Sequence, residues 1–360
     1  MKVDILINKM SGGGAERVVS IISDYLVNKG HNIRIITFTG SDSYELNKAI
    51  ERVKLHEHPL FHSVVFHGFF KLISFYKKKE NRPDIISSHI DLLGYMTIPV
   101  AKLLGIKIIV SEHMNHSTRN DLSRKILWNL IYPFANAVTV LTEYDIDFFK
   151  SKGLNVILMP NPCSFETRSN TDTSVDTKKE IITIGDLNRY HHKGFDNLIT
   201  IAEKVLTKNP EWTLKIVGGG DTGIAHLKNL ANNTTVKDQI IFTGFRKDIK
   251  ELLIDSEIYV LSSRFEGLPM TLLEAMSQGS CCIAFNCVSG PSDVITNELN
   301  GLLIEDQNLE AMANGLNRLI NNPELRQKFK QNAPEALNKF SIENVGNKWI
   351  SLFNEIVKND

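Results

Sequence analysis

Short apolar runs alternate with longer amphipathic stretches along almost all of this chain, and the alternation breaks once, at Pro160-Asn161-Pro162, before starting again. Val3–Ile7, Ile33–Phe38, Ile85–Ser88, Ile106–Ser111 and Ala137–Leu141 form the first set of runs, with helical patterns such as Ala15–Lys29 and Leu92–Leu104 between them. Strands buried on both faces lose the alternation of a half-exposed strand, so apolar runs separated by helices predict parallel β-α-β units. After a polar tract from Ser164 to Glu180, Ile181–Gly185, Leu214–Val217, Ile240–Phe242, Ile258–Leu261 and Ser280–Ala284 repeat the rhythm. Single cores rarely grow past about 250–300 residues, and this chain has 360. The reading is an α/β chain of two doubly wound, Rossmann-like domains facing each other across a cleft, residues 1–160 and 161–341. A final amphipathic stretch, 342–360, with Trp349 and Phe353 on one face, is expected to cross back to the first domain.

Composition narrows the class. Hydrophobic residues at 42% and charged residues at 23% are ordinary for a globular chain. Net charge is zero, yet residues 1–160 hold 20 Lys+Arg against 15 Asp+Glu, and the remainder 21 against 26. That asymmetry suits two halves with different partners and excludes a general nucleic-acid binder, which needs a larger basic excess. Cys163, Cys281, Cys282 and Cys287 lack the C-x-x-C spacing of a zinc or redox site and read as reduced core thiols. The start has no basic segment followed by a long apolar one, and no window approaches about 18 apolar residues, so a cytoplasmic location is expected.

Two glycine-bearing loops follow candidate strands. Ser11-Gly12-Gly13-Gly14-Ala15-Glu16-Arg17 opens the first helix, where glycine lets backbone N–H groups approach an anion. It does not match G-x-G-x-x-G, and no acid ends the second run at Ile36-Thr37-Phe38, which argues against a dinucleotide. The stronger signal is Ser262-Ser263-Arg264-Phe265-Glu266-Gly267-Leu268-Pro269-Met270-Thr271-Leu272-Leu273-Glu274-Ala275-Met276. A strand ends, a glycine loop follows, and Pro269 is placed in the first helical turn, where its missing N–H does no harm. Backbone donors of Gly267 and Leu268 would then face a diphosphate at the helix N-terminus. Glu274 is a lone acid on a helix of Leu, Met and Ala; ribose hydroxyls would supply donors to its carboxylate, and a structural salt bridge is the alternative.

The spacing of Glu266 and Glu274 resembles the E-x7-E pair of glycosyltransferase family 4, and Ser263 to Pro269 is similar to that family almost residue for residue. Gly12 to Arg17, Ser111-Glu112-His113, Lys193-Gly194-Phe195-Asp196, Gly290-Pro291-Ser292-Asp293 and Asn300-Gly301-Leu302-Leu303 also resemble family segments. The similarity points to bacterial enzymes that extend undecaprenyl-diphosphate-linked oligosaccharides with N-acetylgalactosamine or related hexoses. It implies a GT-B fold and a retaining, metal-independent hexosyl transfer from a UDP-sugar, with no cofactor. Glu274 would hold the ribose, Glu266 the donor sugar and its departing phosphate, and Arg246 would sit beside the base. Lys193 would bind phosphate, His113 would face the transferred sugar, and Gly13 and Gly14 would belong to the first glycine loop. The implied partners are a nucleotide sugar, a lipid-linked or oligosaccharide acceptor and the cytoplasmic face of the inner membrane. A nucleotide-sugar 2-epimerase and a non-catalytic subunit of a transferase complex are the competing readings.

In one place the chain departs from the pattern. Gly185 is followed by Asp186 where an arginine is usual, and Arg189, in a longer loop, is the candidate to act with Lys193. Asp145-Ile146-Asp147 is a D-x-D, but it falls at a helix start, where acids are favoured without a metal. His113, His116 and His191-His192 lack zinc-site spacing. Leu60–Lys79 gathers Phe61, Phe66, Phe69 and Phe70 with Lys71, Lys77, Lys78 and Lys79, as either a core helix or an interfacial helix on anionic lipid.

Overall fold

The computed structural model describes residues 1–55, 64–118, 120–168 and 177–358. The chain divides into two compact units, Met1–Ser164 with Phe340–Asp360, and Phe165–Lys339.

Among the described residues, unit 1 is built on seven parallel strands: β1 (Lys2–Ile7), β2 (Asn32–Thr37), β3 (Glu51–Lys54), β4 (Ile85–His89), β5 (Lys107–Ser111), β6 (Ala137–Val140) and β7 (Val156–Leu158). Their order in the sheet is β3-β2-β1-β4-β5-β6-β7. Helix α1 (Gly14–Asn28) joins β1 to β2, α2 (Val64–Lys77) precedes β4, and α3 (Gly94–Leu104) joins β4 to β5. A continuous helical segment joins β5 to β6, consisting of α4 (Leu122–Ile126), a π-helical stretch Leu127–Ile131 and a 3-10 turn Tyr132–Phe134. Right-handed crossovers that run leftward from β1 and rightward from β4 place helices on opposite faces of one sheet. Accordingly Leu72, Tyr76, Met96, Val100, Leu127, Trp128 and Tyr132 share one core with Leu6, Ile86 and Ile108. The last helix, Ile342–Lys358, packs on α1: Tyr25 donates its hydroxyl to Asn347 Oδ1 at 2.9 Å, and Gly346 leaves room for the Tyr25 ring.

Unit 2 repeats the plan with six parallel strands: β8 (Lys178–Ile184), β9 (Thr213–Val217), β10 (Ile240–Gly244), β11 (Ser256–Leu261), β12 (Cys281–Phe285) and β13 (Leu302–Ile304), in the order β10-β9-β8-β11-β12-β13. Its central strands are apolar on both faces, with Ile181, Leu214, Ile216, Ile258, Val260 and Ile283 buried against Phe195, Leu198 and Leu316. The four cysteines are buried and unbridged, and burial pushes the Cys281 thiol up to about 12.

Three strands are not predicted from the sequence. β3 reads Glu-Arg-Val-Lys and has no apolar run, whereas β7 (Val-Ile-Leu) and β13 (Leu-Leu-Ile) are apolar but only three residues long; all three are edge strands, which pair on one side only. Pro269 is the residue before the helix Met270–Ser277 rather than part of its first turn, and its carbonyl accepts from Leu272 N at 3.2 Å. Among the described residues no helix is long and apolar enough to cross a membrane.

Candidate functional site

In open parallel sheets, ligands bind beyond the C-terminal ends of the strands where the direction of winding reverses. In unit 2 that point lies between β8 and β11. The loop after β8 carries Asp186, Arg189 and Lys193, and the loop after β11 carries Ser262 to Pro269, so the fold brings the two strongest sequence segments together. Gly194 makes this possible: at φ +66°, a Cβ there would run into the Ser262 carbonyl oxygen. Ser262 Oγ donates to the Lys193 carbonyl at 2.9 Å and Arg264 N donates to the His192 carbonyl at 3.0 Å, pinning the loops together.

At the centre, Lys193 Nζ lies 2.8 Å from Glu266 Oε1, and Ser263 Oγ donates to the same oxygen at 2.6 Å. Burial alone would raise the Glu266 pKa, but the Lys193 ammonium and the Ser263 hydroxyl outweigh it and hold the carboxyl below its ordinary value. Arg264 forms a two-pronged contact with Asp196, at 2.7 and 3.1 Å, which braces the first turn after Gly194. Ser289 Oγ donates to the Glu266 carbonyl at 2.9 Å, and Gly290 approaches the Gly267 carbonyl closely enough to exclude a Cβ. Among the described residues, the N–H groups of Gly267 and Leu268 donate to no other group. Glu274 is buried on the helix Met270–Ser277.

Arg189 and Asp186 do not pair among the described residues. Asp186 instead accepts from Asn188 N at 3.0 Å and caps the turn Leu187–Arg189, and Arg189 is exposed. Arg246 is exposed beyond β10 and forms an ion pair with Asp248, Nε to Oδ1 at 2.7 Å.

In unit 1 the reversal lies between β1 and β4. Gly12 to Gly14 follow β1. Gly13 has no room for a Cβ because the Glu16 carboxylate fills that space, whereas a Cβ on Gly14 would meet nothing, so packing within the unit does not require glycine there. His113 follows β5, and its Nε2 lies 2.9 Å from Nδ1 of His89, the last residue of β4. His89 Nε2 lies 3.0 Å from Ser87 Oγ, and the His89 ring packs on Trp349 with centroids 5.8 Å apart. Burial lowers the His113 pKa to about 4, so the imidazole is neutral through the physiological range. Its neighbour Glu112 is the reverse case: burial, with Asp91 nearby, raises the carboxyl to about 8 even though Trp128 Nε1 and Tyr132 OH donate to Oε1 at 3.0 and 2.6 Å.

Asp145, from the D-x-D, accepts from both His116 N and His116 Nδ1, at 2.9 and 2.7 Å, under the stacked rings of His116 and Phe148. In the Leu60–Lys79 segment, Leu60 and Phe61 lie outside the described residues. Leu72 and Tyr76 enter the core, whereas Phe66 and Phe70 are exposed.

Sequence reasoning passed over His89, Ser263 and the Arg264–Asp196 pair. His89 had a usable signal: it ends a strand on the side where such sheets bind ligands, and His113 follows the end of the neighbouring strand. Ser263 had none, because a serine acquires meaning only when its carboxylate partner is known.

Two family models match. "Glycosyltransferase Family 4" covers residues 12–164 and "Glycosyl transferases group 1" covers residues 164–336. The chain is 27% identical over 365 residues to a Campylobacter jejuni GalNAc-alpha-(1->4)-GalNAc-alpha-(1->3)-diNAcBac-PP-undecaprenol alpha-1,4-N-acetyl-D-galactosaminyltransferase, covering 99% of each chain. It is 26% identical to an Escherichia coli UDP-Gal:alpha-D-GlcNAc-diphosphoundecaprenol alpha-1,3-galactosyltransferase, covering 80% of each. The solved structure of Anabaena HepE in complex with UDP and glucose superposes with a TM-score of 0.81 at 16% identity, over 99% of this chain and 100% of that one, which establishes a shared fold.

Proposed function

The chain belongs to the glycosyltransferases, with a Family 4 domain followed by a group 1 domain, and on that premise we propose that it moves a hexose or N-acetylhexosamine from a UDP-sugar to a lipid-diphosphate-linked glycan, retaining anomeric configuration. The observation that carries this reading is the Lys193–Glu266–Ser263 cluster at the winding reversal of unit 2, beside two backbone N–H groups that donate to no other group among the described residues. A diphosphate suits that place because it meets a cation and a helix N-terminus together. Its arrival would take over the contacts that the Glu266 carboxylate now makes with Lys193, leaving Glu266 to hold sugar hydroxyls. Glu274 would accept from the ribose.

In the proposed step, the acceptor hydroxyl attacks the anomeric carbon on the face from which UDP departs. The C–O bond to the β-phosphate breaks as the new glycosidic bond forms, and the hydroxyl proton passes to a departing phosphate oxygen. Lys193 stabilises the charge that accumulates there, which is the kind of interaction that accelerates a reaction because it strengthens in the transition state. His113, neutral and beside His89, is suited to act as a hydrogen-bonding group and not as a charged acid.

The names of the relatives support the donor and acceptor classes: one includes UDP-Gal and both include an undecaprenol diphosphate carrier. A carrier of that kind supports a peripheral position on the cytoplasmic face of the inner membrane. The test is to incubate the protein with a panel of UDP- and GDP-sugars and synthetic lipid-diphosphate oligosaccharides. Transfer from a UDP-sugar alone is expected; transfer only from GDP-sugars, or only to acceptors without lipid, would overturn the proposal.

A further inference from the structure

We propose that the outer surface of the α2, α3 and 122–134 layer of unit 1 rests on an anionic membrane, with the helical segment 122–134 as its leading element. This segment is apolar outward as well as inward. A surface helix ordinarily turns its apolar stripe inward and its polar groups to water. In 122–134 the inward positions are Arg124, Leu127, Trp128 and Tyr132, the last three buried in the core. Arg124 is ion-paired with Asp91 and Asp121, and Trp128 and Tyr132 donate to Glu112. The outward positions at the same four-residue spacing are Leu122, Ile126, Leu130 and Phe134, exposed by 73%, 40%, 62% and 55%. Four large apolar side chains left outward, while Leu127, Trp128 and Tyr132 already fill the core side, suit an apolar medium.

Neighbouring helices continue the surface. Val64, Phe66 and Phe70 of α2 and Leu103 of α3 are also exposed, and with Leu122, Ile126, Leu130 and Phe134 they account for all but Tyr144 of the exposed large apolar residues of unit 1, among those described. The sequences of α2, α3 and 122–134 contain no Asp or Glu, while they contain Lys71, Lys77, Lys102, Arg124 and Lys125. The helices on the other face carry acids: Glu16 and Asp24 in α1, Glu343 and Glu355 in the last helix. Lys152 borders the leading segment, with Nζ bonded to Asn129 Oδ1 at 3.1 Å.

Charge decides the occupant. A second copy seated by two-fold symmetry would bring the exposed lysines Lys77, Lys102 and Lys125 against their own equivalents, and the like charges would repel. A bilayer containing anionic lipid satisfies both features, because the apolar residues enter the boundary between headgroups and acyl chains while the lysine ammonium groups remain among the phosphates. This inference deepens the lipid-linked acceptor reading, but its test does not depend on that reading.

The experiment is co-sedimentation of the full chain with vesicles of phosphatidylcholine alone or mixed with phosphatidylglycerol. Wild type is expected to partition onto the mixed vesicles, Ile126→Glu/Leu130→Glu to lose at least about tenfold in partitioning, and Lys348→Glu, on the last helix, to match wild type. Because two introduced acids could disturb folding, Phe134→Trp supplies a second readout, a blue shift in emission on mixed vesicles beyond any shift that wild type shows. The proposal is overturned if wild type does not bind, if the double variant binds as wild type does, or if the emission of the Phe134→Trp variant moves no more than that of wild type. It is also overturned if wild type is a dimer in solution that the double variant makes monomeric. Transfer to a short-chain, water-soluble acceptor is measured in parallel: retained transfer by the double variant separates a membrane effect from a failure of the reaction assigned above.

Discussion

At the scale of single residues, the decisive matter is which cation meets the diphosphate. Lys193 is part-buried and faces Glu266 at 2.8 Å, whereas Arg189, earlier in the same loop, is exposed and has no ion-pair partner among the described residues. Removing one preorganised group that stabilises developing charge costs about 10²–10³ in kcat. Lys193→Ala is expected to show that loss in steady-state transfer, and Arg189→Ala is expected to lower turnover too, if Arg189 supplies the charge missing at Asp186. Near-normal Arg189→Ala beside a crippled Lys193→Ala would leave the lysine alone in the role. Glu112 offers a separate test through stability. Its carboxyl is raised from 4.5 to about 8 by burial, with Asp91 adding to the effect. Between those values the native state holds a proton that the unfolded chain releases, so stability falls as pH rises. The contribution is full below about pH 4.5 and is lost as pH passes about 8. Urea unfolding from pH 5 to 8.5 should show this decline in wild type and a flatter profile in Glu112→Gln. Parallel profiles would contradict the buried neutral acid.

At the scale of elements, the sequence disclosed whatever depends on continuous burial. β1, β2, β4, β5 and β6 and their counterparts β8 to β12 are apolar runs and were legible within one to three residues at each end. β3, β7 and β13 were not, because β3 is largely polar and β7 and β13, though apolar, are only three residues long. The Glu266 loop could be read because a Gly-Leu-Pro turn before a helix has a local cause, whereas the contact between His89 and His113 depends on a register, His89 opposite Ser111, that only tertiary pairing creates. The outward apolar stripe of 122–134 was also hidden: Leu122, Ile126 and Leu130 have helical spacing, and spacing alone assigns them to a core. Gly194 marks the junction of the two site loops. Gly194→Ala would place a Cβ against the Ser262 carbonyl at φ +66°, which is expected to destabilise the protein by about 2 kcal/mol or more. A thermal midpoint within a degree of wild type would show that the loops have more slack than this geometry allows.

At the scale of the whole molecule, the proposed reaction draws its charge stabilisation from the protein. Lys193 and the N-terminal end of the helix Met270–Ser277 are the groups proposed to meet the diphosphate, and Asp145 of the D-x-D is already engaged with His116. Transfer is therefore expected to survive EDTA. Loss of activity on chelation, restored by Mn²⁺, would mean that the diphosphate is neutralised by a metal instead. The central claim, front-face transfer of a sugar from UDP without a protein nucleophile, has a stereochemical consequence that a single spectrum reads. With an α-configured UDP-sugar and a lipid-diphosphate acceptor, the proton NMR spectrum of the first-formed product should show the small anomeric coupling of an α-linked sugar; the large coupling of a β-linked product would mean inversion and would contradict the mechanism.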